Sequence, residues 1–169
     1  MLVSIVMTIL AADRPGVVRT LSEIVATHGG SWQESRMARL AGQFAGILRV
    51  ECPADEIEPL LAALHALESE GISVQARREE AAPAAPRETL SLDVVGNDRP
   101  GIIRALSSAI AAAGANVEDL ATTLESAPMS GHPIFHAKGL VSLAPDGDPA
   151  DLLATIEQLG PDLSVSIER

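Results

Sequence analysis

The stretch that decides the fold is Asp13–Ser22 (DRPGVVRTLS), because it returns as Asp98–Ser107 (DRPGIIRALS) half a chain later. Each copy follows an apolar run rich in β-branched residues and precedes apolar residues at helical spacing. A strand, a tight turn and an amphipathic helix are therefore predicted twice. Repetition of a whole structural unit indicates a duplicated module, and the repeated strand–helix turn is where function is expected.

The rest of each half predicts the same order: strand, helix, strand, strand, helix, strand. In the first half, Ser31–Leu40 and Gln43–Glu51 read as a hairpin around Ala41–Gly42, and in the second, 116–124 and 134–143 read as a hairpin with a longer tip. This is the ferredoxin-like βαββαβ arrangement. We therefore predict an α+β protein with two tandem domains, each a four-stranded antiparallel sheet with its helices on one face. The expected boundaries are 1–79 for the first domain, 80–88 for an exposed linker with two prolines, and 89–169 for the second domain.

Helix starts are predicted from their capping residues. Pro15 is expected at the first position of the first helix, with Asp13 or Arg14 as its cap. Asp55–Glu58 predicts a capped start for the second helix, and Asp148–Asp151 predicts one with a proline at the first position.

Composition narrows the classes of function. The net charge is −11, and this argues against direct contact with nucleic acid or with an anionic membrane surface, since both need clustered Lys and Arg. Cys52 is the only cysteine, so no disulfide within the chain is expected, and it reads as a small apolar residue near a strand end. Leu2–Ala12 lacks the basic flank of a signal sequence and is expected to be a buried strand of a cytoplasmic protein.

The turn sequence in its context resembles the ACT domain. The match consists of Asp-Arg-Pro-Gly after a first strand, an apolar helix closed by glycine, and Asn116–Val117 entering the next strand. Both halves resemble it, and 127–135 (APMSGHPIF) is similar to the second hairpin of the tandem ACT proteins named after the glycine cleavage system transcriptional repressor. That resemblance implies a regulator without a catalytic domain, which senses a small molecule, most often an amino acid, where domains pair. It also implies action on transcription through a protein partner.

The resemblance implies candidate ligand-binding residues in both turns and at the start of one strand. They are Asp13, Arg14, Gly16, Asn97, Asp98, Arg99, Gly101 and Asn116. Ser31 stands where the second half has Asn116, so the second half is the favoured site.

These residue types suit an amino acid chemically. The first N–H groups of a helix have no internal partners and can donate to a carboxylate. Gly16 and Gly101 would let a ligand approach the backbone, Asp98 could receive an ammonium group, and Asn116 can donate and accept. The same turn is also good capping chemistry alone, and exposed arginines such as Arg14 and Arg99 often meet only solvent.

Other candidates are weaker. His132 and His136 lie four residues apart in an extended segment, about 13 Å, which is too far for one metal ion. Trp32 reads as core or interface filler. We expect no cofactor, no metal and no enzyme activity, but a small-molecule effector, a protein partner such as a transcription regulator, and self-association. The alternative is a module that binds protein without any effector, using its sheets and the loop at 125–133.

Overall fold

The computed structural model of the protein describes residues 1–79 and 87–169. The chain divides into two compact units, Met1–Pro83 and Ala84–Arg169. The predicted linker at 80–88 lies mostly outside the described residues, and its last residue, Glu88, begins the first strand of the second unit.

The first unit has the predicted order of elements. They are β1 (Leu2–Ala12), α1 (Val17–Thr27), β2 (Ser31–Leu40), β3 (Gln43–Pro53), α2 (Ile57–Ala66), a 3-10 turn at Leu67–Glu70, and β4 (Ile72–Arg78). The sheet order is β2-β3-β1-β4, and every pair of neighbours is antiparallel.

The second unit repeats this order. Its elements are β5 (Glu88–Asn97), α3 (Ile102–Ala112), β6 (Ala115–Ser126), β7 (Pro133–Leu143), α4 (Pro149–Glu157) and β8 (Ser164–Glu168). The sheet order is β6-β7-β5-β8, again antiparallel throughout. Two tandem ferredoxin-like βαββαβ units are thus confirmed.

Alternation along the central strands explains why the helices lie on one face. In β1, Ile5, Met7 and Ile9 are buried and join the apolar stripes of α1 and α2 in one core. In β5, Leu90 and Leu92 do the same with α3 and α4. The odd and even positions of a strand face opposite sides, so the outer face of each sheet lies uncovered within its own unit.

Two predicted helix starts are wrong. Helix α1 begins at Val17, and Gly16 is its N-cap residue at φ +94°, so Pro15 precedes the helix and neither Asp13 nor Arg14 caps it. The left-handed backbone at that position suits glycine, which has no Cβ to clash. Helix α2 begins after Glu56, whose backbone is already helical and whose side chain makes no capping bond. Only a non-helical N-cap residue aims its side chain back at the first N–H groups.

The start of α4 follows the prediction. Asp148 has an extended backbone, and its Oδ1 accepts a hydrogen bond of 2.8 Å from the Ala150 N–H, with Pro149 next in the chain. The first hairpin is also as predicted, since Ala41 and Gly42 take φ +49° and +78°. Positive φ at both central residues matches the tight turn that two-residue hairpins favour.

Cys52 is fully buried in the core of the first unit, as expected for a small apolar residue. Burial raises the pKa of its thiol, and the nearby Glu56 and Asp55 carboxylates act in the same direction. Among the described residues, each helix is too short or too polar to cross a membrane.

Candidate functional site

The first turn, residues 13–16, is held by three hydrogen bonds. The Asp13 N–H donates to the Gly42 carbonyl at 2.9 Å, which fixes the turn to the tip of the β2–β3 hairpin. Arg39 Nη1 donates to Asp13 Oδ2 at 3.3 Å, so the aspartate is paired with a guanidinium. Arg14 Nη2 donates to the Glu70 carbonyl at 2.7 Å, at the end of the 3-10 turn that follows α2. This turn therefore lies against both the hairpin and the end of the second helical segment.

The second turn, residues 97–101, also ends in a left-handed glycine at the start of its helix, but its side chains have other partners. The Asp98 N–H donates to the Pro133 carbonyl at 3.0 Å, the counterpart of the bond made by Asp13. Arg99 Nη2 donates to the Leu159 carbonyl at 2.7 Å, and its Nη1 lies 3.4 Å from Asp162 Oδ1. The other oxygen of Asp162 accepts from the Asn97 N–H at 3.2 Å. The Arg99 guanidinium is therefore already neutralised.

Asp98 carries the available charge at this turn. Its side chain is half-buried, and it forms no ion pair or side-chain hydrogen bond with any residue in the ranges 1–79 and 87–169. Gly101 is the N-cap residue of α3 at φ +81°, and no side chain in the described parts of the chain caps that helix. A Cβ built on Gly101 would meet no atom within 4 Å, and the first N–H group of α3, that of Ile102, donates to the Arg99 carbonyl at 3.2 Å.

Asn116 lies at the other end of the same sheet. It pairs with Ser142, and Ser142 pairs with Thr89, eight residues before Asn97 along β5. At about 3.4 Å per residue the separation is about 27 Å. The Asn116 amide donates to Glu118 Oε1 at 3.1 Å. The second unit therefore brings Asn97, Asp98, Arg99 and Gly101 together and leaves Asn116 apart from them.

The histidines and the tryptophan lie elsewhere. His136 is on the outer face of the second sheet, where its Nε2 is 2.9 Å from Asp93 Oδ1, and Lys138 approaches the other oxygen at 3.4 Å. His132 is exposed near the hairpin tip, and Trp32 packs partly buried against the first core. No group of three metal-ligating side chains occurs within the described ranges.

Sequence reasoning missed two residues that set the charge of the turns, Arg39 and Asp162. Each is far from its turn along the chain: Arg39 lies on β2, and Asp162 lies in the loop that precedes β8. The separation of Asn116 from the second turn could have been predicted from the order of the elements. Helix α3 runs back along the sheet from the turn, so the strand that follows it must start at the opposite end.

Comparison with known proteins agrees with this architecture. A family model described as ACT domain matches residues 4–76. A crystal structure of an unknown protein from Galdieria sulphuraria is 27% identical with a TM-score of 0.79, over 99% of this chain and 98% of that one. A crystal structure of a candidate glycine cleavage system transcriptional repressor is 17% identical with a TM-score of 0.73, over 99% and 97%. The comparison with curated proteins returns no significant match. Residues 4–76 of this protein thus match the ACT domain model, and the second unit repeats the fold of the first.

Proposed function

We propose that this protein is a non-enzymatic regulator that binds a small amino-acid-type effector at its strand–helix turns and passes the bound state to a protein partner. The family match of the first unit supports a ligand-sensing, regulatory role, because ACT domains are regulatory modules. One structure with the same fold is described as a candidate transcriptional repressor, and by analogy we take the partner to be a transcription regulator.

One observation carries the proposal: the half-buried Asp98 carboxylate, unpaired among the described residues, lies in the turn that leads into α3, whose start no described side chain caps. The N–H groups at a helix start carry partial positive charge and favour a bound carboxylate. A carboxylate such as Asp98 forms a charge-assisted hydrogen bond with an ammonium group. The two ends of an amino acid need these two groups a few ångströms apart. No nucleophile–base pair accompanies them in the described part of the turn, so the chemistry is that of binding.

Asn116 enters the proposal through a second copy of the chain. It is about 27 Å from the turn of its own unit, so it cannot touch the same small ligand there. Self-association that aligns sheets in opposite directions would place the Asn116 of one copy near the turn of the other. We therefore assign Asn116 to a ligand held mainly by the neighbouring copy.

Calorimetric titration of the full chain with each of the twenty amino acids tests the function. We expect one or a few to bind and to raise the unfolding temperature, since a ligand at one hundred times its Kd stabilises by about 2.7 kcal/mol. Asp98→Asn should weaken this binding at least about tenfold and reduce the stabilisation accordingly, whereas Asp151→Asn, a change at an exposed aspartate in α4 of the same unit, should not. Absence of heat and of thermal stabilisation with all twenty would overturn the proposal.

Mixing two variants tests the role of Asn116. Asp98→Asn and Asn116→Ala chains should each bind weakly, and an equimolar mixture should regain binding in mixed assemblies. A mixture no better than the separate variants would contradict the assignment to the neighbouring copy.

A second candidate function is protein binding without an effector. The tip of the β6–β7 hairpin exposes Met129 completely, and Leu124 on β6 is 62% exposed. Copurification of a partner with and without the effector separates the two functions. A complex that forms equally well in both conditions would favour the effector-independent module.

A further inference from the structure

The two turns have equivalent backbones but oppositely charged surroundings. Arg39 pairs with Phe44, which pairs with Ala11, two residues before Asp13. Leu124 pairs with Phe135, which pairs with Gly96, two residues before Asp98. Leu124 in the second unit therefore occupies the position that Arg39 has in the first.

The two units also differ in the residue at a second matching position, on the other side of each turn. Ser73 pairs with Leu10 and Ser164 pairs with Val95, at matching places in β1 and β5. Two residues earlier, the first unit has Gly71 and the second has Asp162.

These two differences between the units decide which charged side chain of each turn has an ionic partner. In the first turn Asp13 is bound by Arg39, and Arg14 donates to a backbone carbonyl. In the second turn Arg99 is bound by Asp162, and the Asp98 carboxylate is left over. Among these contacting groups the first turn has two cations and one carboxylate, and the second has one cation and two carboxylates.

We propose that the ammonium group of the effector is bound at the second turn alone, by Asp98, and that Arg39 excludes it from the first turn by occupying Asp13. This inference rests on the proposed function and specifies which copy of the duplicated turn performs it. An exposed ion pair alone weakens a competitor by up to about fivefold. The guanidinium also repels the incoming ammonium, and the hydrogen bond that the ligand loses is worth about tenfold or more in affinity.

Site-resolved titration of the full chain tests the assignment. The probe is the amino acid that binds tightest in the calorimetric panel, and the readouts are its Kd and the shifts of the Gly16 and Gly101 amide signals in NMR spectra. We expect Gly101 to respond first and Gly16 only at ligand concentrations at least about tenfold higher. Asp98→Asn should weaken binding at least about tenfold, and Asp13→Asn less than about twofold. The N-acetylated probe, which lacks the ammonium group, should not bind the second turn.

Variants that exchange the residues at positions 39 and 124 give a sharper test. Both residues are exposed on strands, so their replacement should not disturb a core. Arg39→Leu should lower the ligand concentration at which Gly16 responds by about threefold or more. Leu124→Arg should weaken the response of Gly101 by a similar factor. Arg77→Leu removes an exposed arginine from β4 of the first unit and should leave both signals unchanged. Circular dichroism checks that each variant is folded.

The outcomes separate this inference from the function on which it rests. If the wild-type chain binds none of the twenty amino acids, the proposed function fails and this inference fails with it. If the chain binds one, but Asp13→Asn weakens binding as much as Asp98→Asn does, only the assignment to the second turn is overturned. That assignment is overturned as well if Gly16 and Gly101 saturate together in the wild type and Arg39→Leu changes neither.

Discussion

Arg14 Nη2 donates a 2.7 Å hydrogen bond to the Glu70 carbonyl, and Arg99 makes the same bond to Leu159 in the other unit. In each case a turn arginine donates to a backbone carbonyl at or just beyond the end of the second helical segment, where carbonyl groups lack helical partners. A guanidinium suits this position because it carries several N–H donors and a permanent charge. The arginines of the repeated turn thus hold each turn against its own unit, whereas the role of the aspartates in binding an effector is our proposal.

Replacing these arginines should destabilise the two units unequally. Arg99 bonds to both the Leu159 carbonyl and the Asp162 carboxylate, whereas Arg14 bonds to one carbonyl. We expect Arg99→Ala to lower the free energy of unfolding by about 1.5–3 kcal/mol and Arg14→Ala by about 1 kcal/mol. Urea denaturation measures both, with Arg77→Ala as the control. Equal losses in all three variants would show that neither bond matters.

The capping bond of α4 should have its own measurable effect. Asp148→Ala removes the acceptor of the Ala150 N–H and should cost about 1 kcal/mol. Glu56→Ala changes the N-cap residue of α2, which makes no such bond, and should cost less than half as much. Thermal unfolding compares the two variants, and a larger effect at Glu56 would contradict the capping geometry.

Gly139 should tolerate no side chain. It pairs with Leu120 just past the irregularity in register between Val117 and Asp119, and a Cβ there would overlap the Asp119 carbonyl. Gly139→Ala should cost about 3 kcal/mol, because the backbone of an interior strand must shift. Gly131→Ala is the matched control: its Cβ meets open space, and the strain of φ +69° costs about 1 kcal/mol. Chemical denaturation that ranks the two in the opposite order would refute the close contact.

The thiol of Cys52 should be unreactive in the folded protein. Burial raises its pKa, so the reactive thiolate is disfavoured as well as inaccessible. Iodoacetamide at pH 8 should modify it only as fast as the first unit unfolds, and much faster in urea.

The same shift makes stability depend on pH in a defined direction. Above the pKa of the unfolded thiol, near pH 9, the folded state retains a proton that the unfolded state releases, so stability falls as pH rises. Cys52→Ala should lessen that fall between about pH 9 and pH 10. An identical fall in both proteins would show that other groups cause it.

The sequence predicted the order of the elements and some of their boundaries, but not the side-chain pairs between distant residues. The tight turn at Ala41–Gly42 and the capped start at Asp148 follow from a few neighbouring residues, and both are correct. The start of α1 was misplaced because Asp-Arg-Pro-Gly suits a proline at the first helical position equally well, and the left-handed Gly16 decides otherwise.

The candidate site shows the same division. Its turn residues were visible as a repeated motif, and their assignment as ligand contacts stays a prediction. The partners that set the charge of each turn were not visible. Arg39 is 26 residues from Asp13, and Asp162 is 63 from Arg99. The ferredoxin-like pattern indicates which strands are neighbours, but such pairs also depend on the exact strand register and on loop positions, which the pattern does not specify.

The tip of the second hairpin offers a place to watch binding happen. Met129 is fully exposed there, and Pro133, a few residues on, accepts the hydrogen bond from the Asp98 N–H. Since the natural cysteine is sequestered in the core, Met129→Cys would give one accessible thiol for an environment-sensitive dye. The fluorescence of the dye would report binding of an effector at the neighbouring turn in real time. The label changes no residue of the turn itself.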